Sequence, residues 1–181
     1  MAPLKLVAAT AVGSAILAGP AMAADHQGWK TTADVGEAGL VALALGKSAA
    51  DRDWDGTREL ALTLGATAGT TYALKHIFPE TRPDGSDNRS FPSGHTSISF
   101  AAAGYLQQRY GWQWGLPATA AAALVGVSRV ESKDHHWYDV VVGAAIGEGA
   151  AFLLTSPRDS QVRVFPWGDT HGGGLAVAAR F

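Results

Sequence analysis

The strongest constraint on the fold is a series of five apolar stretches, each long enough for several helical turns and separated by short polar breaks. The stretches are rich in Ala, Gly and Leu, and in the third, Ile98, Ala101, Tyr105 and Leu106 recur at helical spacing. The second and fifth end before a proline, and the third ends at a glycine, as helices commonly do. The sequence therefore predicts an all-α bundle of about five to six helices, with helices over 35–50, 57–77, 93–110, 115–130 and 138–155.

The first 23 residues resemble a secretory signal peptide. Lys5 precedes an apolar run, and Ala21-Met22-Ala23 has the small-x-small pattern of a cleavage site. An uncleaved membrane anchor is the less favoured alternative, because the apolar run is short and is broken by Gly19-Pro20. We therefore expect a periplasmic or secreted protein, with a membrane-associated one as the alternative.

The chain has no cysteine and a formal net charge of −2. Packing alone must therefore hold the fold, and a nucleic-acid partner is not expected. A membrane span needs about 20 apolar residues, whereas the predicted helices are shorter or contain Glu37, Glu59 or Glu148. We expect a soluble or peripherally membrane-associated bundle, although the second and fifth helices leave a spanning arrangement open. The oligomeric state is not predictable from these patterns.

Three parts follow one another after the signal peptide. We expect an N-terminal helix and acidic turn over 24–56, a helical core over 57–156 and a tail over 157–181. In the tail, two short apolar runs at 162–165 and 175–181 surround a glycine-rich connection. This pattern predicts a possible β-hairpin.

The acidic turn imitates the start of a calcium-binding loop. Asp51, Asp53, Asp55 and Gly56 have the spacing of its first positions, but Leu62 stands where the loop requires a bidentate Glu. A helix N-cap at Asp55 or Thr57 explains the stretch without a metal.

Three separated stretches contain polar residues that could act together. Taken singly, their cations suit helix ends, and their serine and aspartate suit helix starts. Together they fit a phosphate ester, which needs several fixed cations and favours the free backbone N–H groups of a helix N-terminus. The stretches contribute Lys75 and Arg82-Pro83, then Pro92-Ser93-Gly94-His95, and then Ser128-Arg129, His135, His136 and Asp139.

Two histidines could divide the chemistry, one attacking phosphorus and the other protonating the departing oxygen. An aspartate bonded to one ring nitrogen would leave the other nitrogen of the attacking histidine free. Asp139 follows His135 by four positions and His136 by three, so helical spacing slightly favours His135 and leaves His136 open.

In this order and spacing, the three stretches resemble the tripartite signature of the type 2 phosphatidic acid phosphatase and haloperoxidase superfamily. The resemblance covers about residues 57–150 and includes no substitution in the three parts. It implies a helical bundle around a phosphate pocket, and hydrolysis of a phosphomonoester, either a lipid phosphate or a small organic phosphate.

The resemblance also implies a role for each residue. His135 would be the nucleophile that forms a phosphohistidine, Asp139 would orient it, and His95 would protonate the leaving alkoxide and then activate water. His136 lies outside the signature and is expected to pack or hydrogen-bond locally. No metal or other cofactor is required, because cations hold the phosphate. The phosphate-binding residues would be Lys75, Arg82, Arg129, Ser93 and Gly94.

Two other functions are alternatives. A vanadate-dependent haloperoxidase would place vanadate in the phosphate site, although the peroxidases that the chain resembles are much longer. A non-enzymatic anion-binding protein of the cell envelope would use the cations without the histidines.

Overall fold

A computed structural model of the protein describes residues 26–159 and 162–179, and the predicted signal peptide lies outside the described residues. Five helices are followed by one antiparallel hairpin, so the predicted all-α bundle with a C-terminal hairpin is confirmed. The helices are α1 (His26–Ala50), α2 (Trp54–Ile77), α3 (Gly94–Tyr110), α4 (Trp112–Glu131) and α5 (Trp137–Leu154), and the strands are β1 (Val162–Asp169) and β2 (Gly172–Ala179).

Helix α1 begins well before its predicted start at residue 35. Its first turns contain polar side chains such as Lys30 and Asp34, which contribute no apolar periodicity from which a helix could be predicted. Helix α4 also begins earlier than predicted, at Trp112. Helix α5 begins at Trp137, because His136 has an extended backbone and serves as its N-cap.

Helix α3 lies at the centre of the bundle and packs against the other four helices. The core around it combines Leu40, Leu60, Tyr105 and Leu106 with buried alanines. Where α5 crosses α3, a Cβ at Gly143 would lie 2.7 Å from the Ser93 carbonyl oxygen. Glycine is therefore required for this close approach, which brings the start of α5 against the start of α3.

The N-cap of α2 is Asp53, so the prediction of Asp55 or Thr57 was wrong. The Asp53 carboxylate accepts from the Gly56 backbone N–H at 3.0 Å, and also from Arg109 Nε and Nη2 at 2.7 and 2.6 Å. Arg109 comes from the end of α3 and fixes the carboxylate in the capping position. A second acid, Glu59, accepts from Arg109 Nη1 at 3.2 Å. We call Asp53, Glu59 and Arg109 the distal cluster.

Among the helices of the described residues, α5 is the one that is long and apolar enough to cross a membrane. Length and composition are the only criteria here, and core helices of soluble proteins and signal sequences also meet them. Only 22% of the apolar stretch of α5 is buried. Val141, Phe152 and Leu153 are among its exposed side chains. The bundle therefore presents an apolar helix face on its surface.

Candidate active site

The three polar stretches meet at one end of the bundle, where α2 and α4 end and α3 and α5 begin. Lys75 Nζ, at the end of α2, donates to the Arg89 carbonyl at 2.7 Å in the loop that leads to α3. The Ser93 backbone N–H donates to the Asp139 carbonyl at 3.1 Å, and the His135 N–H donates to the Arg129 carbonyl at 3.2 Å. Backbone and side-chain bonds thus join all four helix ends.

Asp139 is fully buried at the centre of this region. Its Oδ2 atom accepts from the Ser90 hydroxyl at 2.5 Å and from the His136 backbone N–H at 2.8 Å, and it lies 3.5 Å from His135 Nδ1. Burial acts to raise the pKa of Asp139, but His135 and the Ser90 hydroxyl outweigh it and hold that pKa below its usual range. The carboxylate is therefore ionised at neutral pH.

Burial distinguishes the two adjacent histidines, because each has its Nδ1 atom 3.5 Å from Asp139 Oδ2. His136 is partly exposed and stacks on Tyr138, with ring centroids 5.0 Å apart. His135 is 2% exposed, and among the described residues its Nδ1 atom has no hydrogen-bond partner. Burial lowers the pKa of His135, and Lys75 and Arg129 lower it further against the opposing effect of Asp139. A neutral ring in these surroundings is suited to nucleophilic attack.

Three cations surround the histidine, and we call Lys75, Arg82 and Arg129 the cation cluster. Burial, followed by the charge of Arg82, lowers the pKa of Lys75 to about 8. The three side chains are therefore close enough to repel one another, an arrangement that an anion bound among them would relieve.

A buried carboxylate that the sequence analysis missed holds two members of the cation cluster. Asp134 accepts from Arg129 Nη2 at 2.9 Å and lies 3.4 Å from Arg82 Nη1. Lys30 of α1 also reaches Asp134, at 3.1 Å. Among the described residues, Arg129 Nε has no hydrogen-bond partner. One donor of the guanidinium group therefore remains for another ligand.

The start of α3 has the form expected for an anion site. Ser93 is its N-cap, although the serine hydroxyl is buried and bonded to the Thr96 hydroxyl at 2.9 Å. At Gly94, an added Cβ would meet nothing closer than Thr71 Cγ2 at 4.0 Å, so packing does not require glycine there. Phosphate binding by the Ser93 hydroxyl and the Gly94 N–H stays a prediction.

His95 is paired with α1. Its Nε2 atom donates to Asp34 Oδ1 at 2.8 Å and lies 3.5 Å from Glu37 Oε2. Burial and the charge of Arg129 lower the pKa of His95, while Asp34 opposes them. Arg129 therefore acts on both His95 and His135. The sequence analysis missed Asp34 and Glu37, which lie about 60 positions before the histidine.

One group of side chains has the spacing of a possible metal site. Ligand atoms of Glu80, His136 and Asp139 lie within 4.8 Å of one another. Asp139 Oδ2 already accepts from Ser90, and Glu80 accepts from the Tyr138 hydroxyl. Asp139 Oδ2 and Glu80 Oε1 therefore already have protein partners in the described part of the chain.

Comparison with known proteins identifies the class. The sequence profile of the PAP2 superfamily matches residues 56–161, more than half of the chain. The protein belongs to the PAP2 superfamily, and the resemblance read from the three motifs is confirmed.

Relatives within this class are named as lipid phosphatases. The chain is 38% identical to a lipid A 4'-phosphatase of Helicobacter pylori over 129 residues, which are 65% of this chain and 62% of the relative. It is 36% identical to a lipid A 1-phosphatase of Porphyromonas gingivalis over 48% of this chain and 20% of that protein. The chain thus spans less than two thirds of the length of both relatives.

A solved structure supports the fold assignment. The crystal structure of Aquifex aeolicus LpxE matches with a TM-score of 0.60 and 25% sequence identity, covering 70% of this chain and 82% of that one. The helical bundle is therefore shared with a known member of this structural class.

Proposed function

We propose that the protein is a phosphatase that hydrolyses the phosphomonoester of a lipid or small organic alcohol through a phosphohistidine intermediate. The observation that carries the proposal is the buried His135, whose pKa is lowered, beside Asp139 and the cation cluster. The names of the relatives support a lipid phosphate as substrate.

In the first step, the cation cluster and the N–H groups at the start of α3 hold the phosphoryl oxygens. Asp139 faces His135 Nδ1, so the Nε2 lone pair attacks phosphorus and forms the P–N bond. The ester P–O bond breaks, and the leaving alkoxide takes the proton of His95. The fixed cations stabilise the negative charge on the transferring group in the transition state.

In the second step, the neutral His95 accepts a proton from a water molecule, whose oxygen attacks phosphorus. The P–N bond breaks, inorganic phosphate leaves, and its departure restores neutral His135 and protonated His95. Both proton transfers use His95, His135 carries the phosphoryl group between the two steps, and the cation cluster stabilises the negative charge.

Trapping the intermediate tests this proposal. Acid quenching with phosphorus-labelled substrate should leave an acid-labile, base-stable phosphoryl group on His135. The His135→Ala variant should lose the label and about 10³-fold or more of phosphate release. The His171→Ala variant, which alters an exposed histidine in the hairpin turn, is the matched control.

Other outcomes would contradict the proposal. Phosphate release by His135→Ala at the wild-type rate would contradict the role of His135 as the nucleophile. Bromide oxidation that depends on added vanadate and peroxide, without ester hydrolysis, would establish the haloperoxidase alternative. Phosphate binding without turnover would establish the anion-binding alternative.

We also propose a location at a membrane surface on the periplasmic side. The motif resembling a signal peptide supports export, and the exposed apolar face of α5 supports contact with lipid. Fractionation of cells that express the full chain, with protease added to intact spheroplasts, tests both statements. Recovery only in the cytosol would contradict them.

A further inference from the structure

A groove of about 500 Å³ begins at His95 and runs along α1. Its polar end contains the two α1 carboxylates that face the histidine. Its other end is apolar, with Val41 and Leu45 separated by about one helical turn. The lining residues are Asp34, Glu37, Ala38, Val41, Ala42, Leu45 and His95.

The position of His95 defines what lies in this groove, if the proposed function is correct. The histidine that protonates the leaving oxygen must contact that oxygen, so the leaving group lies on the His95 side of phosphorus. The groove is lined by the same histidine, so it is placed to receive that leaving group. From Asp34 to Leu45, α1 provides a wall about 16 Å long.

The charges in the groove restrict the leaving group further. Asp34 and Glu37 lie within 3.5 Å of the His95 ring that would contact the ester oxygen, and carboxylates repel a second anionic group near them. They can accept hydrogen bonds from hydroxyl groups instead. Burial, together with the charge of Asp34, raises the pKa of Glu37 to about 7 against the opposing charge of Arg129, so the negative charge of Glu37 is complete only at alkaline pH.

We propose that this groove is the leaving-group subsite and that it selects the monophosphate ester of an amphipathic alcohol. The uncharged, hydroxyl-bearing part of the alcohol lies beside Asp34 and Glu37, and its alkyl or acyl chain lies along Ala38, Val41 and Leu45. A diphosphate ester is disfavoured, because its inner phosphate would lie against the two carboxylates. This inference rests on the proposed phosphatase function and specifies its substrate class.

A chain-length experiment tests the apolar wall. Hexyl and dodecyl phosphate are compared at concentrations below micelle formation, and phosphate release gives kcat/KM for each. A fully buried methylene contributes about fourfold, and a groove that is open to water on one side should retain about half of that free energy, or about twofold. For the six additional methylenes of dodecyl phosphate, the wild-type dodecyl-to-hexyl ratio should therefore be at least tenfold. Leu45→Asp should lower that ratio at least fivefold, and taking the ratio within one variant cancels differences in the amount of folded protein.

The matched control is Leu62→Asp. Leu62 lies on α2 outside the groove, and both leucines are 45% exposed. The control should keep the wild-type ratio. An equal fall in both variants, or a wild-type ratio near one, would overturn the inference while leaving the phosphatase function intact. Failure to release phosphate from any ester would overturn the proposed function as well.

The second arm tests the carboxylates. The wild-type protein should cleave dodecyl monophosphate faster than dodecyl diphosphate, and more so at pH 8, where Glu37 is mostly ionised, than at pH 6. Glu37→Gln should reduce this preference at least threefold and remove its pH dependence. If Glu37→Gln kept the wild-type preference for the monophosphate, the proposal that the carboxylates at the polar end of the groove disfavour a diphosphate would be overturned.

Discussion

The two ends of the bundle each contain a buried arginine beside buried carboxylates, but the arginines differ in how completely they are paired. In the distal cluster, all three nitrogens of Arg109 donate, to Asp53, Glu59 and the Ser156 carbonyl. At the candidate active site, Arg129 contacts Asp134 through Nη2, and among the described residues its Nε has no partner.

This difference is the one expected between a structural ion cluster and a candidate binding site. A buried arginine that uses all three of its nitrogens to bind protein groups holds helices in place and offers little to a ligand. A buried cation with an unpaired donor, beside two further cations, is destabilising until an anion binds. Four substitutions test this contrast, in order of decreasing effect.

Removing the distal arginine should mainly reduce stability. Arg109→Met leaves the Asp53 carboxylate buried without its ion pair, which should cost about 3–5 kcal/mol of unfolding free energy. Denaturant unfolding measures this loss. The variant protein that remains folded should hydrolyse substrate at the wild-type rate, and a matching fall in kcat of the folded protein would contradict the structural role.

Removing the arginine at the candidate active site should reduce catalysis more than stability. Arg129→Met should lower kcat/KM by about 10²–10³-fold, the loss expected when one donor to a transition-state oxyanion is removed. Its unfolding free energy should fall by less than that of Arg109→Met, because Asp134 keeps Lys30 and Arg82. If Arg109→Met and Arg129→Met lowered the unfolding free energy equally, the proposed difference between the two ends of the bundle would be contradicted.

Ser90 provides a smaller test within the active site. Ser90→Ala removes the hydroxyl that donates to Asp139 Oδ2, and loss of one charge-assisted hydrogen bond should lower kcat about tenfold. Binding of inorganic phosphate should not change, since Ser90 orients the nucleophile through Asp139. Ser99→Ala is the control, because the buried Ser99 hydroxyl has no hydrogen-bond partner among the described residues. Weaker phosphate binding in Ser90→Ala would contradict a positioning role.

The smallest effect concerns pH. Lys75 has a pKa lowered to about 8, so its charge is complete below that pH and is lost above it. The affinity for inorganic phosphate, measured by competitive inhibition, should therefore begin to fall near pH 8. In Lys75→Arg the guanidinium stays charged, and this fall should be absent. The same pH dependence in both proteins would show that Lys75 does not hold the anion.

The sequence predicted the helices and the family because both depend on local patterns. Apolar stretches of helical length marked all five helices, although α1 begins nine residues before its predicted start, and three short motifs marked the histidines and cations. The assignment of His135 over His136 needed more than spacing, since both rings lie equally near Asp139 and only burial separates them.

Long-range polar contacts could not be predicted. Asp34 pairs with a histidine 61 positions away, and Ser90 with an aspartate 49 positions away. Neither pair has a periodic signature, because such contacts arise only when helices pack. For the same reason the N-cap at Asp53 was missed, since Arg109, 56 positions later, selects it.

Helix α1 precedes the segment that defines the family, yet it provides one wall of the groove beside His95. The proposed reacting centre and the groove proposed to distinguish one alcohol from another are thus encoded in different stretches of the gene. Exchange of residues 34–45 between relatives is therefore a route to new substrates that leaves His95 and His135, and the helices that position them, in their original sequence.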